Sequence, residues 1–167
     1  YKDGSKLSND QVLGMLIAVL FAGQHTSSIT STWTGLLSIA NKSRVIPTLE
    51  EEQRKIMKGH GNNLDFDILA KMDELHFAVK EALRMHPPLI MLMRKAMRAV
   101  PIETDAGARY VIPKGDVVFA APAIQGRLAT CWTAPDAFDP DRYAPGREEH
   151  AMPFAHIGFG GGIHQCM

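Results

Sequence analysis

The chain has 167 residues, 46% hydrophobic and 22% charged, which is enough apolar material for one globular core. Its 18 Lys plus Arg balance 18 Asp plus Glu, so a net charge of zero gives no electrostatic footprint for nucleic acid as a partner. Two cysteines, Cys131 and Cys166, make no disulfide framework, and a reducing compartment is the default.

Ser8 and Gln11 have capping-box spacing, which predicts a helix from about Asn9. From Val12 to Ala22 the sequence is apolar on nearly every face, the pattern of a helix covered on all sides. The run Val12 to Gly23 is too short to cross a bilayer and is expected to lie in a core. The helix continues through a polar patch, Gln24 to Thr32, and is expected to end near Asn41. Such a helix of roughly 30 residues spans about 45 Å, the width of a larger domain than these residues form alone.

A charged helix is predicted from Thr48, with Glu51 three residues on, to Lys58. Gly59, Gly61 and the pair Asn62-Asn63 break it. A core-facing helix runs from about Asp73 to Met85 and is stopped by Pro87 and Pro88. Leu89 to Ala96 is expected to be extended. Arg109–Ile112 and Asp116–Ala121 flank Pro113-Lys114-Gly115 and are predicted to form a hairpin. Beyond Ala121 the chain is rich in Pro and Gly, a long coil that needs something to pack on, which a large buried cofactor would supply. The fold class is mainly α with a small sheet, and no internal repeat is present.

Three stretches carry chemistry. Phe159-Gly160-Gly161-Gly162-Ile163-His164-Gln165-Cys166 allows positive φ and close backbone approach to a flat ligand. A thiolate ligand needs inward N–H donors, which such a turn provides. A Gly-rich surface loop beside a buried structural Cys is the bland alternative, but Phe, two spaced Gly, a basic residue and Cys in this order favour the thiolate. No paired CxxC or His spacing accompanies Cys166, which argues against zinc. In Ala22-Gly23-Gln24-His25-Thr26-Ser27, small residues clear one face, and Thr26 is placed to bond the carbonyl of Ala22. A helix crossing a polar interface would show the same pattern. Glu81 and Arg84, three residues apart on one helix face, are either an exposed pair or a buried one; a buried pair needs a further partner, such as Arg142.

Taken in this order, these stretches resemble the cytochrome P450 superfamily: the oxygen-binding helix, the ExxR pair, the "PERF"-like segment Phe138-Asp139-Pro140-Asp141-Arg142-Tyr143 and the haem-binding loop. His25 before Thr26, the run Ala82 to Arg94 and the segment Phe138 to Glu149 are similar to the sterol 14α-demethylase family, with Arg142 to Glu149 nearest to plant and algal members. The resemblance implies a partial P450 fold over residues 1–167, a single domain whose N-terminal half lies elsewhere. The absence of an initiator Met and the stop directly after the Cys agree with that expectation.

The resemblance also implies roles. Haem b (iron protoporphyrin IX) is the expected cofactor, with Cys166 as axial ligand of its iron. Phe159, Gly160 and Gly162 shape the loop, and Arg94 and His164 meet the propionates. Thr26 and His25 serve dioxygen binding and proton delivery. Phe21, Ala22, Leu89, Met91 and Met93 line the sterol cavity, where flexible Met suits a large apolar substrate. Glu81, Arg84 and Arg142 form a structural triad. The implied reaction is oxidative loss of the sterol 14α-methyl group, with electrons from NADPH through cytochrome P450 reductase. The implied location, in a eukaryote, is the cytosolic face of the endoplasmic reticulum membrane, held by an N-terminal anchor outside this chain. The runner-up is a P450 monooxygenase of another family acting on another lipid. The non-enzyme alternative is a fragment that binds no haem and does nothing alone. Cys131 receives no role.

Overall fold

The computed structural model describes residues 4–61 and 63–166. The first three residues, Asn62 of the expected Asn62-Asn63 helix break, and Met167 at the end of the expected coil lie outside the described residues.

The first helix, α1, spans Asn9–Ala40. Ser8 caps it as its spacing predicts: the Gln11 N–H donates to Ser8 Oγ (3.2 Å), and the Ser8 N–H donates to Gln11 Oε1 (2.9 Å). At the other end the Asn41 side chain donates to the Leu37 carbonyl at 2.9 Å. Its C-terminal half joins the core. Trp33 and Leu37 pack on Val45, Ala78, Ala82, Met85 and Phe138. The Trp33 indole stacks on the His86 imidazole, centroids 3.6 Å apart and planes 4° from parallel. Burial lowers the His86 pKa, and the charges of Arg127 and Arg84 lower it further.

The N-terminal half of α1 differs from expectation. Val12 to Ala22 is exposed throughout, with Leu20 at 73% and Phe21 at 66%. By length and composition α1 is also long and apolar enough to cross a bilayer, although its densest apolar run is short. No described element packs over this half, so its apolar faces have no cover within the described residues.

The second helix, α2, spans Lys42–Lys58, six residues longer at its start than the helix predicted from Thr48. Thr48 is not its cap: its hydroxyl donates back to the Arg44 carbonyl at 3.1 Å. Val45 buries its side chain in the core, and that contact holds a first turn which the internal Pro47 had disguised in the sequence. A short α3, Phe66–Leu69, starts at Asp65, whose carboxylate accepts from the Ile68 N–H at 2.9 Å.

The central helix is α4, Asp73–Met85, with the bounds its apolar spacing predicts. Its own first residues supply no side-chain cap. Glu52 of α2 does so instead, accepting from the N–H groups of Glu74 (2.7 Å) and Leu75 (3.1 Å). Burial raises the Glu74 carboxyl, and the charge of Glu52 raises it further. The buried face of α4 includes Ala78, Glu81, Ala82, Leu83, Arg84 and Met85.

Four short strands follow: β1 Leu92–Lys95, β2 Val100–Glu103, β3 Arg109–Ile112 and β4 Val117–Ala120. They form two antiparallel pairs rather than one small sheet. The predicted hairpin around Pro113-Lys114-Gly115 is corrected here. β3 pairs with β2, Val100 opposite Ile112, and β4 pairs with β1, Leu92 opposite Ala120. The turn is a crossover, because its backbone is tied to Ala96: Gly115 N–H to the Ala96 carbonyl and Ala96 N–H to the Asp116 carbonyl, each 2.8 Å. The real hairpin turn is Thr104 to Ala108, where Gly107 takes a φ of 77°.

After β4 come a four-residue helix, α5, Pro122–Gln125, and 3-10 turns at Pro140–Tyr143, Glu149–Ala151 and Gly162–His164. Much of this coil packs on α4 itself, through a second core of Trp132, Tyr143 and Ala155 against Phe77 and Cys131. Residues 132–155 thus find a protein surface to pack on.

Candidate functional site: a buried ion cluster and a cysteine loop

The coil is fastened to α4 by charge. Glu81, Arg84 and Arg142 have side chains 0% exposed. Arg84 grips Glu81 with two parallel bonds, Nε to Oε2 and Nη2 to Oε1, both 2.7 Å. Arg142 Nε donates to Glu81 Oε1 at 2.9 Å, and the Asp139 backbone N–H reaches the same oxygen at 2.9 Å. The remaining guanidinium donors go to carbonyls of the coil and, from Arg142 Nη1, to the Glu149 carboxylate. Arg84 reaches Gly126, Pro135 (2.7 Å) and Ala137 (3.2 Å), and Arg142 reaches Thr133 (3.0 Å). The buried Trp132 ring lies against both cations, 5.3 Å from Arg84 and 5.8 Å from Arg142. Glu81 and Arg84 are thus a buried pair, and Arg142 is the further partner such a pair requires.

A more exposed rim surrounds the cluster. Asp139 pairs with Arg147 (2.7 Å) and Arg44 (3.2 Å), and Glu149 pairs with Arg142 and Arg147 (both 2.7 Å). Burial raises the Asp139 carboxyl, but the hydrogen bond from Arg147 and the charges of Arg147, Arg142 and Arg44 outweigh it and hold the group low. Glu149 follows the same balance. Burial raises it, while the Thr133 N–H, the Arg147 bond and the charges of Arg142 and Arg147 bring it below the usual range.

The cysteine loop leaves this core at Ala155. Gly160 N–H bonds the Ile157 carbonyl and Cys166 N–H bonds the Phe159 carbonyl, each at 2.9 Å, so the loop closes on itself. Gly160 and Gly162 take φ of 76° and 68°, left-handed conformations that the sequence pattern requires of glycine. Cys166, His164 and Phe159 are exposed. Gly160 and Gly161 border an open groove of about 390 Å³, together with Leu92, Arg94, Val118, Phe154 and Ile157. Arg94 donates to the carbonyl of Met93 at 2.8 Å, and among the described residues no carboxylate pairs with it.

The third stretch lies on α1. The Thr26 hydroxyl donates to the Ala22 carbonyl at 2.7 Å, the back-bond its position predicts, and Thr26 is half-buried while His25 is exposed. The His25 ring meets Phe21 edge-on at 5.9 Å. Among the described residues, no hydrogen bond, ion pair or ring contact joins Ala22–Thr26 to the cysteine loop. The residues expected to wall a substrate cavity are open as well: Phe21, Ala22, Leu89, Met91 and Met93 are all exposed. The structure therefore gathers Glu81, Arg84 and Arg142 into one cluster, and Arg94 with Gly160 into one groove, and leaves the α1 residues apart from both.

Sequence reasoning passed over Trp132, Gly126, Asp139 and Glu149 as members of the cluster. Trp132 carried a signal, as a large aromatic in an otherwise Pro- and Gly-rich coil, and Asp139 stood in the same singled-out segment as Arg142. Glu149 lies seven residues beyond Arg142 on irregular backbone, where no periodicity predicts a meeting. Cys131 is half-buried, and the Gln125 amide approaches its sulfur at 3.6 Å.

All of the chain, residues 1–167, matches the family model for cytochrome P450, and the chain belongs to that family. Among individual relatives, it is 50% identical to the obtusifoliol 14-alpha demethylase of Sorghum bicolor, over 100% of this chain and 34% of that protein. It is 49% identical to the sterol 14-demethylase of Arabidopsis thaliana, over 100% of this chain and 34% of that one. The lanosterol 14-alpha demethylase of Homo sapiens is 38% identical over 100% of this chain and 32% of its own length. The chain thus spans about a third of the length of the curated relatives it matches.

Proposed function

We propose that this chain is the oxygen-helix-to-cysteine-loop part of a haem-thiolate monooxygenase that removes the 14α-methyl group of a sterol. The observation that carries the reading is the groove beside the cysteine loop. A haem is a flat dianion, and its iron in this family takes a thiolate. The groove edge has two glycines without Cβ and an Arg94 guanidinium with no carboxylate partner among the described residues, and the loop that carries those glycines ends in the exposed thiol of Cys166, outside the groove's lining. These residues fit the group. Cys166 would ligate the iron, Arg94 and His164 would meet the propionates, and Phe159, Gly160 and Gly162 would let the loop approach. When bound, haem supplies the activation of dioxygen that no side chain here can perform.

The chain's own residues have distinct tasks. Cys166 would give its thiol proton to solvent and hold the iron as a thiolate. The glycine loop keeps side chains out of the approach. Thr26 holds its hydroxyl proton toward the Ala22 carbonyl and, when that bond opens, would donate it to a bound ligand or water. His25, one residue earlier and exposed, restores that proton from water. Phe21, Ala22, Leu89, Met91 and Met93 present apolar surface to the sterol. The similarity to enzymes named for 14-demethylation, at 49–50% identity over the whole chain, supports the substrate class. NADPH through a reductase as electron source, an N-terminal membrane anchor and the endoplasmic reticulum as location belong to the same proposal.

The test uses the full-length protein with a reductase, NADPH and a 14α-methyl sterol. The reading predicts formic acid released with the demethylated sterol. It also predicts that Thr26→Ala keeps sterol binding but diverts electrons to peroxide, with His25→Ala a milder copy. Full coupling in both variants would return Thr26 and His25 to helix packing, and no formic acid from the native protein would remove the substrate class.

A further inference from the structure

The buried cluster is electrically incomplete as a triad. Arg84 and Arg142 are two fully buried cations, and Glu81 is one fully buried carboxylate. One positive charge is left over in a water-poor interior, where an uncompensated ion is costly. Asp139 makes no direct bond to it through its carboxylate, which is bonded to Arg44 and Arg147 and feels Arg142 only through space. Glu149 does. Its side chain is 14% exposed, and Oε2 accepts from Arg142 Nη1 at 2.7 Å and from the Thr133 N–H at 2.8 Å. Its second oxygen takes Arg147 Nη2 at 2.7 Å. The preceding Glu148 has a φ of 39°, a left-handed turn that brings the chain back onto the cluster.

From Glu149 a continuous set of contacts leads to the cysteine loop. Thr133 follows Trp132, whose ring lies against Arg84 and Arg142 and packs with Tyr143 and Ala155. Next to Ala155, the His156 ring meets both Trp132 and Tyr143 at 6.3 Å, and its Nε2 lies 3.4 Å from the Lys80 carbonyl of α4. Ile157 then provides the carbonyl that closes the loop at Gly160.

We propose that Glu149 is a positioning residue: it is the counter-ion of Arg142, and by fixing Arg142 and the Trp132-Thr133 backbone it seats the coil from which the cysteine loop departs. This rests on the proposed haem site only for its consequence, since the charge balance stands without it. The experiment compares Glu149→Gln, which keeps shape and the acceptor oxygen toward Arg142 and Thr133 but loses charge, with Arg147→Ala, which removes the exposed rim cation from both Glu149 and Asp139 and leaves Arg142 paired. In full-length protein, transfer of haem to an apo-globin acceptor is timed, and the thiolate-type ferrous carbonyl band is recorded. Glu149→Gln is expected to speed haem loss about tenfold, the size of one charge-assisted hydrogen bond, and to shift the band toward the neutral-thiol form. Arg147→Ala is expected to stay within about twofold, as an exposed pair does.

Limited proteolysis of haem-free protein across residues 140–158 gives a second readout, with the same about tenfold and about twofold contrast. Native haem loss in Glu149→Gln, or equal losses in both variants, would overturn the proposal. If the native protein holds no thiolate-bound haem, the functional reading falls, and the proteolysis contrast alone decides the role of Glu149.

Discussion

Replacing Arg84 with alanine removes five hydrogen bonds at once: two to Glu81 and one each to the carbonyls of Gly126, Pro135 and Ala137. Glu81 keeps Arg142 and the Asp139 N–H, so its charge is not wholly abandoned. The Gly126 and Pro135 carbonyls lose this charged donor altogether, while Ala137 retains a longer bond from Arg142 at 3.4 Å. Breaking a buried pair costs about 3–5 kcal/mol. A domain is stable by about 5–15 kcal/mol, so this single change takes a large share of the margin. Urea unfolding of the full-length protein, with haem per polypeptide measured alongside, checks the figure. The account predicts a lowered midpoint and loss of haem before any catalytic step is affected. Arg84→Lys keeps the charge but not the two-pronged grip, and should fall between. A loss under about 1 kcal/mol with native haem content would mean that the cluster is a surface feature, worth what exposed pairs are worth.

Gly126→Ala is a purely steric test, because a Cβ there would collide with the Arg84 carbonyl oxygen while the backbone φ is ordinary. A loss of about 1–3 kcal/mol in a thermal or urea melt is expected, and unchanged stability would show that α5 can shift away from α4. Glu52→Ala removes the cap that α2 lends to α4 and should cost about 0.5–2 kcal/mol. Glu52→Gln keeps one of the two acceptor oxygens and turns an amide NH2 toward the other N–H, while relieving the repulsion on Glu74, so its melt should fall between the native and Glu52→Ala; equal losses in both variants would contradict the capping role.

The parts of the fold legible in the sequence are those set by local rules. The capping box at Ser8, the bounds of α4 between its apolar spacing and Pro87, and the Thr26 back-bond all follow from neighbours within four residues. What the sequence concealed is set by distant contacts. The start of α2 depends on Val45 reaching the core past Pro47. The strand pairing depends on Ala96, which ties down the Pro113–Gly115 turn from just beyond the end of β1. The cover of Val12 to Ala22 was legible as a need, yet the described residues do not supply it. At the candidate site, the sequence pointed to Glu81, Arg84 and Arg142 as partners, and to glycines where positive φ occurs. Glu149 and Trp132 escaped because irregular backbone has no period that predicts who meets whom.

The central claim is that the cysteine loop holds haem through Cys166. Full-length protein and its Cys166→Ala variant, each reduced and exposed to carbon monoxide, test it by visible absorption. The account predicts the red-shifted thiolate band in the native protein and its absence in the variant, with Glu81, Arg84 and Arg142 untouched. A variant that keeps that band would show that another residue is the ligand.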